Sequence, residues 1–325
     1  MSRNVGVVIP FYQTDKGILI RSITSVLEQT LFDRITVIIV DDESPVSARD
    51  EMTAFENRFS DQIQIIEQKN GGAGSARNTA LDNMPDEVEF VAFLDSDDEW
   101  KPGHVANAIA ALEYGYDFYF SDFFFSDYKD QTAFKRANKI TPKDHKLLDS
   151  SNNIYEYVGN MHDQIIAKGN VIGTSNVVYR YNKFPALRFR EEFYNGQDYL
   201  FWLDISDQTD RIVFSNNIEC DCGKGINIYA GTGWGTEGSL RRLKNEIMVW
   251  TSVERFFDLN QYQKQANKKR LTKLREAIVR DILHRLRHKK PIQNKVLKEI
   301  ITYDKGVIFQ FIPILFSFIF NSQKS

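Results

Sequence analysis

Four carboxylates stand where they could do chemistry. Three are crowded into Asp95-Ser96-Asp97-Asp98, directly after the apolar run 88–94. Carboxylates stacked at a strand end repel one another, and their usual neutralising partner is a cation. An all-oxygen donor set favours Mg²⁺ or Mn²⁺, ions that keep waters and take further ligands from phosphates. The plainer use is an Asp-rich turn leading into a helix. The buried strand before it and Glu99-Trp100-Lys101-Pro102 after it favour the metal. The fourth is Asp198 in Gly196-Gln197-Asp198-Tyr199-Leu200-Phe201-Trp202. An Asp there either caps the apolar helix that follows or projects from its start as a general base.

A glycine-rich turn, Asn70-Gly71-Gly72-Ala73-Gly74-Ser75-Ala76-Arg77-Asn78, runs into a helical pattern. Glycines let a backbone approach a ligand, and a helix start attracts anions. Arg77 suits either a phosphate or an Asp of the acidic loop. The spacing is neither the Gly-x-Gly-x-x-Gly dinucleotide fingerprint nor a P-loop, because no Gly-Lys-Ser/Thr follows. Asp41-Asp42 ends another apolar run. An acid there accepts from a base N–H or a ribose hydroxyl, or else caps the turn Asp42-Glu43-Ser44-Pro45. Tyr12 either lies against a base or is an ordinary rim aromatic.

These residues need elements to hold them. Apolar runs at 5–10, 35–40, 63–66, 88–94 and 116–120 read as buried strands. Helical patterns fall between them: Ile20/Ile23/Val26/Leu27, Met52/Phe55/Phe59, 74–83, and 102–113 opened by Pro102. Strand–helix alternation with short connections predicts right-handed crossovers and a mainly parallel sheet. Pro10–Tyr12, Asp41-Asp42, Asn70–Gly72 and Asp95–Asp98 each follow a strand's carboxyl end, the edge where open α/β sheets bind ligands. Residues 141–238 read as mixed strands and loops covering that edge. Beyond Leu240 the pattern is helical, with a basic helix over 264–287 and an almost wholly apolar stretch at 307–320.

The net charge of −3 hides an asymmetry. Residues 264–298 hold thirteen Lys/Arg against Glu276 and Asp281, a net of +11, so the rest carries −14. A basic tail on an acidic body points the tail at something anionic. Nothing in the pattern calls for nucleic acid. Cys220 and Cys222 are the only cysteines. Cys-x-Cys makes a strained disulfide, and two thiols are too few for a structural zinc site, so they read as reduced thiols of a cytoplasmic protein. The N-terminus has no apolar leader. His284 and His288, four apart on one helix, lack the Glu of a zinc motif and belong with the basic face.

The segments VVIPFYQ, SITSVLEQTLFDRITVIIVDDES, NGGAGSARNTAL, VAFLDSDDEWKP and NGQDYLFW occur in the order and spacing of family two glycosyltransferases. Over residues 4–252 the chain resembles the bacterial members that build O-antigen, capsule or other surface polysaccharides. The resemblance implies the GT-A fold, a Rossmann-like, mainly parallel sheet flanked by helices. That gives a transferase domain over 1–258, with a nucleotide-sugar half (1–125) and an acceptor half (126–258). A basic helical C-terminal extension follows over 259–325. It implies donor binding by Pro10, Tyr12, Asp42, Asn70, Gly71, Arg77, Asp95 and Ser96. It implies a metal at Asp97 and Asp95, Mn²⁺ or Mg²⁺, and Asp198 as the base of an inverting transfer from a nucleotide diphosphate sugar, with a UDP-sugar the expected donor.

There are departures. The usual Glu-Asp pair is Gln197-Asp198 here, so the base is kept and its neighbouring carboxylate is not. The basic or His-containing loop of many relatives is Ala230-Gly-Thr-Gly-Trp-Gly-Thr-Glu-Gly-Ser239, with Arg241 and Arg242 beyond. The Gln-x-x-Arg-Trp motif of processive synthases is absent, which argues for addition of a single sugar. The expected acceptor is a polyprenyl-diphosphate-linked glycan at the inner face of the cell membrane. The run 307–320 is shorter than the ~20 residues a span needs and is broken by Pro313. It therefore lies in the membrane interface, or packs on the protein, or makes a homo-oligomer contact. Two other classes compete: a non-catalytic nucleotide- or glycan-binding module, which would tolerate loss of the carboxylates, and a nucleotidyltransferase, which would release pyrophosphate.

Overall fold

The computed structural model describes residues 3–53, 55, 59, 61–125, 127, 130–223, 231–311 and 314. Four strands rich in β-branched and aromatic residues open the chain: β1 (Val5–Phe11), β2 (Ile35–Asp41), β3 (Ile63–Glu67) and β4 (Phe90–Phe93). They pair in parallel in the order β3-β2-β1-β4. β1 and β4 are buried at every position, as strands covered on both faces must be. Between them run α1 (Ile18–Leu27), α2 (Ala48–Met52) and α3 (Ala73–Asp82). α1 has no capping side chain of its own. Buried Glu51 of α2 supplies one, accepting the N–H groups of Gly17 and, at 3.0 Å, Leu19. This satisfies two of the donors a helix start leaves open.

The sheet continues through β5 (Glu99–Trp100), β6 (Phe118–Phe124), β7 (Lys146–Asp149), β8 (Ile154–Glu156), β9 (Val177–Arg180) and β10 (Ile212–Asp221). Its full order is β3-β2-β1-β4-β9-β6-β10-β8-β7, with β5 pairing to β10. The alternation predicts a mainly parallel sheet. The structure instead inserts β9, antiparallel to both β4 and β6, so the second half of the sheet is mixed. Pro102 does not open its helix: α4 (His104–Glu113) begins two residues later, and the Pro102 carbonyl accepts Thr30 N–H. The helical pattern Met52/Phe55/Phe59 yields α2 as far as Met52; several residues beyond it lie outside the described ones. After α5 (Ala133–Ala137) and α6 (Gln197–Gln208) come α7 (Ser239–Phe256), α8 (Gln261–Arg287) and α9 (Asn294–Tyr303), and residues 306–311 beyond them are helical.

The chain forms two compact units, residues 1–191 with 201–226 and residues 192–200 with 227–325. In the first, Phe93 packs against Tyr179, Phe189, Phe201 and Trp202. Burying each such ring contributes on the order of 2–3 kcal/mol. In the second, α7 packs along α8 and α9, so the expected boundary after residue 258 falls inside this unit. Asn260 caps α8 in a reciprocal capping box with Gln263. Arg285 and Asp281 are both buried. Arg285 Nε donates to Asp281 at 2.6 Å and its Nη atoms donate to the Thr236, Glu237 and Pro291 carbonyls. This pair anchors the turn before α7. Among the described residues no helix is long and apolar enough to cross a membrane.

Candidate active site

The carboxyl ends of β1, β2 and β3 line up in register at Phe11, Asp41 and Glu67, and β4 ends opposite Val8 of β1. The loop after β4 holds the acidic tetrapeptide. Asp95 takes an ion pair from Arg77 of α3, and its N–H donates to Ser175 Oγ at 2.9 Å. Arg77 is buried and also lies over the Phe189 ring, 5.2 Å from its centroid. Ser96 is buried and accepts from Gln13 Nε2 at 3.1 Å. Asp97 is half-buried. Asp98 is buried, and one of its oxygens accepts Gly223 N–H at 2.7 Å. Burial, then the charges of Asp95 and Asp97, push the Asp98 carboxyl well above the usual carboxylate range. That repulsion marks a site where a hard divalent cation fits. Asp95 and Asp97 would hold Mn²⁺ or Mg²⁺ with carboxylate oxygens.

The glycine turn is occupied by the chain itself. Asp42 is 3% exposed. Its two oxygens accept Gly71 N–H and Gly72 N–H, each at 2.8 Å, and Gln68 Nε2 at 2.8 Å. Its carbonyl accepts from Asn70 Nδ2 at 3.0 Å. The anion at the start of α3 is therefore Asp42, which holds Asn70 and Gly71 at the sheet edge. Asp41 does parallel work, accepting Ser44 N–H and Ala48 N–H at 2.8 Å each. Arg77 faces Asp95, the second of the two partners the sequence allowed it. Pro10 is buried within β1, and Tyr12 beyond its end is 41% exposed, free to lie against a flat ring.

Asp198 belongs to the second unit, in the first turn of α6. Gly196 precedes it with φ +73°, and a Cβ there would meet Val249 Cγ2 at 3.0 Å; both facts demand glycine. The Gln197 side chain turns back to the Phe193 carbonyl. Tyr199 lies 6.4 Å from Trp250, on which the Arg270 guanidinium stacks at 3.6 Å.

Several residues beneath the acidic loop went unnoticed in the sequence. Buried Glu219 of β10 accepts from Tyr119 Oη at 2.7 Å and Asn107 Nδ2 at 2.9 Å, and pairs with His104 Nδ1 at 3.0 Å. Its carbonyl takes Lys101 N–H at 2.9 Å, fixing the strand that leaves the loop. Gly223 touches the loop so closely that a Cβ would sit 1.7 Å from the Asp97 carbonyl oxygen. Ser175, Gly223 and Glu219 carry no local signal, because each acts only through its tertiary position. Gln13 follows the β1 motif directly and was within reach.

An α/β sheet whose first four strands are parallel, and whose carboxyl edge gathers an Asp-x-Asp loop, a clasped glycine turn and an exposed Tyr, defines a nucleotide-dependent transferase of the GT-A class. The family model "Glycosyl transferase family 2" matches residues 6–189. The chain is 32% identical over 254 residues to the succinoglycan biosynthesis protein ExoW of Rhizobium meliloti (strain 1021), covering 76% of each chain. It is 37% identical over 98 residues to a putative teichuronic acid biosynthesis glycosyltransferase, TuaG, of Bacillus subtilis (strain 168), covering 30% of this chain and 37% of that one. Among solved structures it is similar to S. aureus TarS 1-349 in complex with UDP-GlcNAc (TM-score 0.55, 17% identity, 95% of this chain and 81% of that chain). It is also similar to the mannosyltransferase PcManGT of Pyrobaculum calidifontis in complex with GDP-Man and Mn2+ (TM-score 0.56, 13% identity, 96% and 81%). The chain belongs to glycosyl transferase family 2; it is a glycosyltransferase with the GT-A fold.

Proposed function

We propose that this enzyme transfers a single sugar, with inversion, from a nucleotide diphosphate sugar to an acceptor hydroxyl during assembly of a bacterial surface polysaccharide. The observation that carries the reading is the acidic loop braced by Arg77 and Ser175 at the sheet's carboxyl edge. A similar structure bound to UDP-GlcNAc, and the succinoglycan role of a relative covered over most of its length, support it. The proposed donor is a UDP-hexose or UDP-N-acetylhexosamine. Tyr12 lies against the base, Asn70 and Gly71 line the nucleotide, and Ser96 stands beside the diphosphate. Asp97 and Asp95 would hold Mn²⁺ or Mg²⁺, which when bound would supply charge for the departing diphosphate. The acceptor oxygen attacks the anomeric carbon as the bond to the nucleotide diphosphate breaks, and Asp198 takes the acceptor's proton.

The proposed acceptor is a polyprenyl-diphosphate-linked glycan. The basic face of α8 and the end of the chain hold the enzyme at the cytoplasmic membrane surface, where such carriers lie. Flotation with anionic liposomes, lost in a chain cut after residue 260, checks that docking. The test of the transfer is a screen of UDP, GDP and dTDP sugars scored by thermal shift and nucleotide release, with Asp198→Asn alongside. A UDP-sugar should stabilise both proteins with Mn²⁺ present, and only the parent should turn over. Stabilisation by none of these donors refutes the donor reading. Turnover by Asp198→Asn within roughly tenfold of the parent removes Asp198 as base, since general bases contribute ~10²–10⁴-fold.

A further inference from the structure

Two thiols read from sequence are too few for a metal, but the fold adds a third ligand. Cys220 and Cys222 lie two apart at the end of β10, so their side chains leave the strand on the same face. The acidic loop brings Asp98 against them. One ligand atom from each of Asp98, Cys220 and Cys222 lies within 4.8 Å of the other two. We propose that Asp98, Cys220 and Cys222 form a binding site for a thiophilic divalent cation of the Zn²⁺ class, separate from the hard-cation site at Asp95 and Asp97.

Two sulfurs and one carboxylate select Zn²⁺ or Cd²⁺ over Mg²⁺ and Mn²⁺. Tetrahedral bonds of ~2.3 Å put sulfurs roughly 3.8 Å apart, so closing the set needs contraction of at most about 1 Å. The setting favours that closure. Asp98 and Cys220 are buried and Cys222 is half-buried. Gly223 N–H fixes one oxygen of Asp98, and the Ser175 hydroxyl also reaches this carboxylate. The approach of Gly223 to the Asp97 carbonyl holds the chain just after Cys222 on the loop. β10 is irregular against β6 between Ile218 and Cys220, the kind of bulge that re-aims a side chain beside a site. Three protein ligands leave a fourth position for water. A cation here ties the end of β10 to the loop carrying Asp95 and Asp97, and so steadies the donor site without entering the reaction.

The test uses the full chain in saturating Mg²⁺, which fills the hard-cation site first. Cd²⁺ is titrated while thiolate-to-metal charge-transfer absorption is followed. A single Cd²⁺ per chain should give the band. Cys222→Ser should cut it to about half with affinity down at least tenfold, and Asp98→Asn should keep the band while weakening binding on the order of tenfold. A measurement on the unaltered protein covers variants that fail to fold: saturating Zn²⁺, but not Mg²⁺, should slow alkylation of Cys222, read by mass spectrometry. Absence of the charge-transfer band in folded protein, or equal alkylation with and without Zn²⁺, overturns the site. None of these readouts involves sugar transfer, so they stand or fall independently of the proposed reaction.

Discussion

Replacing Asp42 separates two roles that one buried carboxylate is asked to play. As a ligand group it would contribute only when nucleotide is bound. As the clasp seen here it holds Gly71 and Gly72 in the free protein. Hydrogen bonds to a charged acceptor contribute about 1.5–3 kcal/mol each. Gly71 is exposed, so water replaces part of what it loses, and the lower figure applies. Two such bonds give about 3 kcal/mol, and a carboxylate at the start of α3 adds on the order of 0.5 kcal/mol through the helix dipole. Asp42→Ala should therefore lose roughly 3–4 kcal/mol. Asp42→Asn keeps one acceptor oxygen but turns an NH₂ toward an N–H, and should lose about 2 kcal/mol. Urea unfolding followed by circular dichroism without ligand is the assay. A loss below ~0.5 kcal/mol for Asp42→Ala, the size of an ordinary surface substitution, together with abolished donor binding would refute the clasp and leave Asp42 a ligand group alone.

Three further outcomes are expected. Arg77→Ala leaves Asp95 beside Asp97 and Asp98 without its cation; stability should fall by about 2–4 kcal/mol in urea, and Arg77→Lys should rescue it poorly because a point charge replaces the planar group over Phe189. Glu219→Ala strands donors on His104, Asn107 and Tyr119 and should lose at least ~3 kcal/mol by the same assay, whereas Glu219→Gln keeps most of the geometry and should lose less. Asp204 has its pKa raised from 3.8 to about 6, by burial first and against the pull of Arg190. The folded chain thus holds a proton that the unfolded chain has released; the contribution of Asp204 is whole below pH 3.8 and is lost as pH rises through about 6. Urea midpoints measured across that window should decline more steeply in the parent than in Asp204→Asn.

What was legible in the sequence was local. Continuous runs such as VGVVIPF and ITVIIVD can only be buried strands, and acidic or glycine residues directly after them must lie at the carboxyl edge. β9 was not legible as an insertion. Residues 141–238 read only as mixed strands and loops, and the place of VVYR between β4 and β6 is decided by tertiary packing. The same limit applies at the site. Asp42 and the glycine turn were both visible, and each was assigned a ligand. That they bind each other depends on β2 and β3 lying side by side, which no local spacing records. Cys220 and Cys222 were visible as a pair, while Asp98 joins them only through the approach of Gly223 to the loop.

The basic tail shows how a summed charge misleads until its partners are known. Of thirteen cations in residues 264–298, ten are exposed. The others are engaged: Arg285 with buried Asp281, Arg275 with Asp304 at 2.7 Å, and Arg270 on Trp250. The engaged cations hold the second unit together, and the exposed Lys and Arg can meet an anionic surface. Each such residue near an anionic leaflet contributes about 1 kcal/mol, and the field decays within a Debye length of ~8–10 Å. The apolar end divides the same way. Val307 and Ile314 are buried, while Ile308 and Phe309 are exposed; Ile312, Pro313 and residues 315–320 lie outside the described residues. Packing and membrane contact are thus not alternatives for this stretch, since one face already serves the protein and another points outward. The docking proposed for this tail should therefore be electrostatic first, with raised salt weakening it before any change in the fold does.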